Sequence, residues 1–208
     1  MTYASSAQHY QDLISFVKSE DNKLQDRIRH PDRMVNALAE DKLGHYRSAA
    51  VLIPVTRLSD DAESHVVLTV RSADLKSHPG QISFPGGTVE KQDKDSVATA
   101  LRETHEEIGV HPNNVEVIGR ISDIALPSGY RVTPVVGIID NNLNYLANPA
   151  EVEDIFHAPL SLLLDPKAYK RSAVAYQDIE RAVLELHYGE YRIWGATAAI
   201  LYHLASHI

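Results

Sequence analysis

A glycine turn followed by a strongly acidic helix constrains this chain more than any other feature. The stretch from Phe84 to Val110 reads FPGGTVEKQDKDSVATALRETHEEIGV. An α-helix places residues three and four apart on one face, so its acidic side chains converge while an apolar stripe forms elsewhere. The acidic face carries Arg102, Glu103, Glu106 and Glu107, and the stripe contains Val97, Leu101, Thr104 and Ile108. We therefore expect three carboxylates to point from the wet side of this helix into one small volume.

Such a face is costly unless a cation occupies it, because like charges one turn apart destabilise a helix by roughly 0.2 to 0.5 kcal/mol per pair. Carboxylate oxygens suit Mg²⁺ or Mn²⁺ better than zinc or copper. The alternative is a solvated acidic face with no ligand. The context favours the metal site, since Gly86 and Gly87 precede the helix and Gly109 follows it where a helix end favours glycine.

This stretch resembles the Nudix box, the glycine-loop-helix motif of hydrolases that cleave nucleoside diphosphates linked to another group. Residues 102–110 match its second half, with Thr104 in place of an aliphatic residue. The first half departs from the pattern. Asp93 stands where the family has glutamate, and eight residues instead of seven separate it from Arg102. The longer loop is similar to the variant box of the coenzyme A pyrophosphatase branch.

The resemblance to that branch extends over most of the chain from about Tyr46 onward. Residues 68–87 are similar to its leader segment, which contains Arg71, Lys76 and His78. The resemblance implies substrate-binding roles for Arg71 on phosphate and for His78 and Lys76 on the 3'-phosphate or pantetheine side. Tyr130 could pack against a base or the pantetheine arm, and core packing is an equal alternative. A surface ion pair is the alternative for Arg71.

The chemistry of diphosphate cleavage suggests a role for each acidic residue. We expect Glu103 and Glu107 to be the principal metal ligands, with Glu106 binding a further metal or its water. A backbone carbonyl of Gly86 or Gly87 completes this set, and Arg102 holds Glu106 as an i, i+4 partner. The general base is left between Glu103 and a second cluster. That cluster contains Glu151, Glu153 and Asp154, which follow the turn Asn148-Pro149.

Composition excludes several other classes of protein. The 208 residues include 20 basic and 28 acidic side chains, giving a formal charge of −8 that argues against a nucleic-acid partner. The absence of cysteine excludes disulfides, thiolate metal sites and a cysteine nucleophile. No signal-like leader or apolar run of ~20 residues is visible, so we expect a cytoplasmic protein without a membrane partner. A monomer and a homodimer both stay open.

The pattern of apolar residues predicts an α/β chain. Four strands are expected at residues 49–55, 65–70, 115–121 and 132–139, and a late antiparallel pair at 173–176 and 182–188. Helices are expected near 5–17, 34–43 and 193–208. The resemblance implies the Nudix fold, a mixed sheet between helices (an α-β-α sandwich). We expect one domain over residues 1–208, with an N-terminal helical extension at about 1–44.

The sequence thus predicts a Mg²⁺- or Mn²⁺-dependent hydrolase acting on a small-molecule substrate. By resemblance, that substrate is coenzyme A or acyl-coenzyme A, cleaved to 3',5'-ADP and (acyl-)4'-phosphopantetheine. One alternative is a pyrophosphatase acting on ADP-ribose or NADH. Another is a Nudix-fold regulator that binds a nucleotide without cleaving it, although all four residues Arg102, Glu103, Glu106 and Glu107 are intact.

Overall fold

The computed structural model describes residues 3–20, 27–41, 45–59, 63–75, 77–176 and 179–208. Its helices are α1 (Tyr3–Glu20), α2 (Arg33–Asp41), α3 (Ser96–Ile108), α4 (Leu160–Leu163) and α5 (Gly195–Ala205). Its strands are β1 (Arg47–Thr56), β2 (His65–Arg71), β3 (Ile82–Ser83), β4 (Gly86–Thr88), β5 (Val115–Arg120), β6 (Ile124–Ala125), β7 (Tyr130–Ile139), β8 (Val152–Pro159), β9 (Lys170–Tyr176), β10 (Ile179–Tyr188) and β11 (Tyr191–Trp194).

A mixed sheet forms the centre of the molecule, with the strand order β3-β2-β1-β7-β5. β1 and β7 run parallel over their whole lengths, from Arg47 opposite Tyr130 to Thr56 opposite Ile139. Strands β4, β6 and β8 pair antiparallel with β1, β7 and β2 respectively. The continuous apolar run of β1 fits its central position, because a strand covered on both faces carries few polar residues.

Helices cover both faces of this sheet. Ala100 of α3 packs with Ala50, Leu52 and Val135 on one face. On the other face, Ile53 belongs to a large cluster with α1, α4 and α5; its helical members include Leu13, Val17, Leu160, Leu163, Ala198 and Leu201. Burial of each leucine or isoleucine contributes roughly 1.5 to 3 kcal/mol. The predicted α-β-α sandwich is confirmed.

The four predicted central strands and the late antiparallel pair are confirmed, with shifts of one to three residues at most ends. The predicted start of the terminal helix is wrong. Ile193 and Trp194 belong to β11, where Ile193 pairs with Leu186, and the helix begins at Gly195. The apolar run looked continuous because a buried strand and a buried helix follow each other directly.

Helix α1 is longer than predicted, since it runs from Tyr3 to Glu20. Helix α2 covers Arg33–Asp41 and agrees with the prediction as far as the described residues extend. Leu43, the predicted end of the second helix, lies outside the described residues. Leu13 and Val17 share a buried cluster with Ile53, so we propose that the extension folds as part of a single domain. In the described ranges, no helix combines the length and hydrophobicity of a membrane span.

Candidate active site

The helix that carries the acidic residues is fixed at both ends by its own sequence. The Asp95 side chain caps the N-terminus of α3 by accepting a hydrogen bond from Ala98 N at 2.8 Å. Gly109 ends the helix with φ 74°, a left-handed conformation that glycine adopts without strain. The two caps therefore fix where α3 begins and ends, and with that the positions of its acidic residues.

Arg102 is the centre of an ion-pair network. Its guanidinium donates two hydrogen bonds to Asp93, from Nε and Nη2, each 3.0 Å long. Nη1 donates to Glu103 Oε1 and Glu106 Oε2, both at 2.9 Å, and Nη2 also donates to Thr88 O at 3.1 Å. The predicted pairing of Arg102 with Glu106 is thus confirmed. One arginine holds two helix carboxylates and joins them to the preceding loop.

Asp93 fixes this network from the loop side. Its side chain is only 4% exposed, and it also accepts hydrogen bonds from Glu90 N and Thr99 Oγ1. The Arg102 guanidinium holds the pKa of Asp93 well below its usual value, against the opposing effect of burial. The departure from the Nudix pattern therefore carries a structural function, since the one-residue-longer loop still delivers a carboxylate to Arg102.

Glu107 lies on the buried face of α3, so its predicted place on the wet side is wrong. Glu107 comes seven positions, or two helical turns, after Ala100, which puts both on nearly the same side of the helix. The side chain is among the buried polar groups, and Oε2 accepts a hydrogen bond from Gly86 N at 3.1 Å. Burial raises the pKa of Glu107 to about 8; Glu151 and Glu103 also raise it, whereas the Gly86 bond and Arg71 lower it.

Two further predicted residues, Glu151 and Arg71, lie near the acidic face, since their charges shift the pKa of Glu107. Glu151 also raises the pKa of Glu103, whose main perturbation is burial. Arg71 lies at the end of β2, where its strand pairs with Val152. Ser72 N, the next amide, donates to Glu151 O at 2.9 Å. We call Glu103, Glu106, Glu107 and Glu151 the acidic cluster.

Three other residues that the sequence placed near the site lie away from the acidic cluster: Glu153, Asp154 and Tyr130. Glu153 is exposed and lines a separate groove with Tyr145 and Asp154. Tyr130 contacts the large core cluster, and the Arg47 guanidinium lies 4.3 Å from its ring centroid. Thr133 pairs with Ala50, which in turn pairs with Gly87. Tyr130 comes three residues before Thr133 on β7, so it lies roughly 10 Å along the sheet from Gly87.

His78 lies in the loop that follows β2 and folds back onto Arg71. Gly80 N donates to Arg71 O, and Arg71 N donates to Gln81 O, so the loop closes on that arginine. His78 has φ 57°, the left-handed conformation that costs a non-glycine residue about 1 to 2 kcal/mol. Such strain often accompanies functional loops. Lys76 lies outside the described residues.

The donor set fits a hard divalent cation. Repulsion from Glu151 and Glu103 raises the pKa of the Glu107 carboxyl group, in addition to the larger effect of burial. Carboxylates are the ligands that Mg²⁺ and Mn²⁺ prefer. Gly87 leaves room for Glu103, because a Cβ at Gly87 would lie 2.5 Å from its carboxyl carbon. In the described ranges no three acidic or histidine side chains converge to metal-binding distance. Arg102 instead holds Glu103 and Glu106.

Asp93→Asn should loosen this network. We expect a loss of roughly 3 kcal/mol in the free energy of unfolding, because a largely buried arginine loses its bidentate acceptor. The lowered pKa of Asp93 means that its contribution is complete above about pH 5 and is lost as the pH falls below the ordinary aspartate value of ~3.9. Chemical denaturation at pH 7 and pH 3 should show the difference shrinking at pH 3.

The control is Asp140→Asn, which removes an aspartate paired with Arg57 at an exposed site. We expect a change below about 1 kcal/mol there. Equal losses in the two variants at pH 7 would contradict a special role for Asp93.

Sequence reasoning missed two parts of this site. The first is the burial of Glu107, although its helical alignment with Ala100 and Thr104 was a readable signal. The second is the hydrogen bond from Gly86 N, which depends on β4 pairing with β1 and has no local signal.

Comparisons with known proteins agree with these features. The NUDIX domain family matches residues 46–179. A relative from Photorhabdus laumondii, described as an uncharacterized Nudix hydrolase NudL, is 40% identical over 78% of this chain and 85% of its own length. The corresponding protein of Citrobacter koseri is 43% identical over 78% of this chain and 83% of its own.

Among solved structures, a NUDIX hydrolase from Alicyclobacillus acidocaldarius is similar with a TM-score of 0.47 at 17% identity, covering 77% of this chain and 91% of the other. The family match spans more than half of the sequence and includes the whole glycine-loop-helix segment. The chain therefore belongs to the Nudix family and is a Nudix hydrolase.

Proposed function

We propose that this Nudix hydrolase cleaves the diphosphate linkage of coenzyme A or acyl-coenzyme A in a reaction that depends on Mg²⁺ or Mn²⁺. The products are 3',5'-ADP and (acyl-)4'-phosphopantetheine. The observation that carries the proposal is the junction at Arg71. The loop that resembles the coenzyme A branch closes on this residue, and Arg71 acts electrostatically on Glu107 of the acidic cluster.

The residues of the cluster divide the chemistry between them. Glu103 and Glu107 would hold the cation, which supplies positive charge against the phosphoryl oxygens when bound. Arg102 orients Glu103 and Glu106 through hydrogen bonds of 2.9 Å. On this proposal Arg71, whose charge lowers the pKa of Glu107, donates to a phosphate oxygen of the substrate. Its side chain thus aligns the diphosphate for attack by water.

Glu151 is our candidate for the general base. Arg102 engages Glu103, whereas within the described ranges the Glu151 side chain accepts one long hydrogen bond, from Asn148 Nδ2 at 3.4 Å. Ser72 N fixes the Glu151 backbone beside Arg71. On this proposal, Glu151 takes the proton of the water molecule that attacks the diphosphate aligned by Arg71.

Glu151→Gln should lower kcat by about 100- to 10,000-fold with little change in KM, because it removes proton transfer and keeps the side-chain shape. The matched control is Glu153→Gln, two residues along the chain and exposed. We expect the control to keep kcat within about twofold. A larger loss in the control than in Glu151→Gln would exclude this assignment.

The substrate is tested by product identification. Incubation of the purified protein with coenzyme A and Mg²⁺ should release 3',5'-ADP and 4'-phosphopantetheine, detected by chromatography and mass spectrometry. ADP-ribose and NADH at equal concentration address the alternative, and we expect coenzyme A to have the highest kcat/KM. Faster cleavage of ADP-ribose or NADH would replace the coenzyme A assignment.

A further inference from the structure

A cavity of about 520 Å³ lies beside the acidic cluster, between the starts of β1 and β7, the end of β5 and the loop that leads into α3. Its lining contains four basic residues and three hydroxyl residues, which are Arg27, Lys94, Arg120, Arg131, Ser48, Ser96 and Thr133. We call this cavity the basic recess. The four basic residues come from four separate segments, so the fold gathers them, and the volume is in the range of small-molecule sites.

The acidic residues of the recess are all engaged in structural contacts. Asp93 pairs with Arg102, which lies outside the recess lining. Asp95 caps α3. Asp123 accepts a hydrogen bond from Thr133 Oγ1 at 2.7 Å and pairs with Arg131 Nε at 3.3 Å. The four basic lining residues outnumber the three acidic ones, on a chain whose overall charge is −8.

The recess adjoins the acidic cluster. Ala49 lines the recess and pairs with Thr88, and the next residue, Ala50, pairs with Gly87. Gly87 is in turn packed against the Glu103 carboxyl group. Asp93 also lines the recess, and it accepts hydrogen bonds from Arg102, which donates to Glu103 Oε1 at 2.9 Å. A single arginine therefore connects the recess to the acidic cluster.

The lining favours a small, highly charged group over a base or an acyl chain. Among the described residues that line it, Ala49 and Val89 are the only apolar ones, and none is aromatic. Arginine, lysine and hydroxyl donors from several directions suit the oxygens of a phosphomonoester. An adenine ring would find no stacking partner in this lining.

We propose that the basic recess binds a phosphomonoester on the nucleotide half of the substrate, separately from the diphosphate that is cleaved. This inference rests on the proposed function, because in coenzyme A that group is the 3'-phosphate. ADP-ribose and NADH have no such group. The recess would thus be the element that selects coenzyme A over other substrates with a diphosphate.

The test uses the double variant Arg27→Gln/Lys94→Gln in the full chain. It removes two positive charges from the recess and spares the Arg131 pair with Asp123. The matched control, Lys167→Gln/Arg171→Gln, makes the same change of charge at exposed positions in and before β9. Thermal unfolding establishes that both variants fold.

Calorimetric binding of 3',5'-ADP and 5'-AMP gives a readout without turnover. We expect the native protein and the control to bind 3',5'-ADP about tenfold or more tightly than 5'-AMP, and the recess variant to lose most of this difference. The kcat/KM ratio of coenzyme A to 3'-dephospho-coenzyme A should fall by a similar factor in the recess variant alone. Equal binding of the two nucleotides by the native protein would overturn the inference, as would an unchanged ratio in the recess variant.

The two proposals fail in different ways. Suppose that the native protein prefers 3',5'-ADP, that the recess variant does not, and that coenzyme A is not hydrolysed. The recess is then supported as a phosphomonoester site, and coenzyme A is excluded as the substrate. If coenzyme A is hydrolysed with no preference for the 3'-phosphate, the proposed function stands and the recess assignment falls.

Discussion

Glu103→Gln should reduce hydrolysis by at least about 1,000-fold while leaving the protein folded. On the proposed assignment Glu103 is a metal ligand, and a neutral amide binds Mg²⁺ far more weakly than a carboxylate. The fold should tolerate the change, because the amide oxygen can still accept the hydrogen bond that Arg102 donates to Oε1 at 2.9 Å. The measurements are kcat/KM with saturating Mg²⁺ and the melting temperature.

The matched control is Glu116→Gln, which alters a glutamate that also lies 2.9 Å from an arginine, Arg57, at an exposed site. We expect its activity and melting temperature to stay near those of the native protein. Substantial Mg²⁺-dependent hydrolysis by Glu103→Gln would remove Glu103 from the catalytic set.

Alanine substitutions at Gly86 and Gly87 should have opposite consequences, although the residues are neighbours. At Gly86 a Cβ would lie 2.4 Å from Ala50 O and 2.6 Å from Val51 Cα, both atoms of the central strand. Backbone cannot move aside cheaply, so we expect Gly86→Ala to lose roughly 3 kcal/mol or more of stability. The melting temperature should fall by about 10 °C.

At Gly87 the three heavy atoms nearest to the added Cβ all belong to the Glu103 carboxyl group, the first of them 2.5 Å away. The end of a flexible side chain can turn aside, so we expect Gly87→Ala to keep nearly native stability. Its activity should fall by about 100-fold, because the displaced group is a proposed catalytic one. Thermal unfolding and kcat/KM measured on both variants compare the two residues. A stable Gly86→Ala, or a fully active Gly87→Ala, would contradict the packing that separates them.

The sequence was most informative where spacing along one element decides the structure. The i, i+4 relation of Arg102 and Glu106 predicted their ion pair, and apolar runs predicted β1 and β7 within a few residues. Strands of two or three residues, such as β4, are too short to have a period. They depend on pairing with distant strands, so the hydrogen bond from Gly86 N to Glu107 could not be foreseen.

The same reasoning applies to the candidate site. Glu103 and Glu106 meet at Arg102 because all three residues lie on one helix, whereas the approach of Glu151 depends on how β8 pairs with β2. The recess depends on even more distant segments, because Arg27, Arg120 and Arg131 meet only after the sheet has assembled. Sequence patterns describe what one element presents, and the fold decides which elements share a site.

The burial of Glu107 under α3 links the concentration of divalent cations to the stability of the folded protein. A carboxylate on the inner face of a helix is a liability for the folded state, since burial disfavours its charged form. On the proposed assignment, a bound cation would relieve that liability and would bind the native state more strongly than the unfolded chain. Depletion of divalent cations would then do more than stop turnover, because it would leave a population of enzyme that unfolds and is degraded sooner.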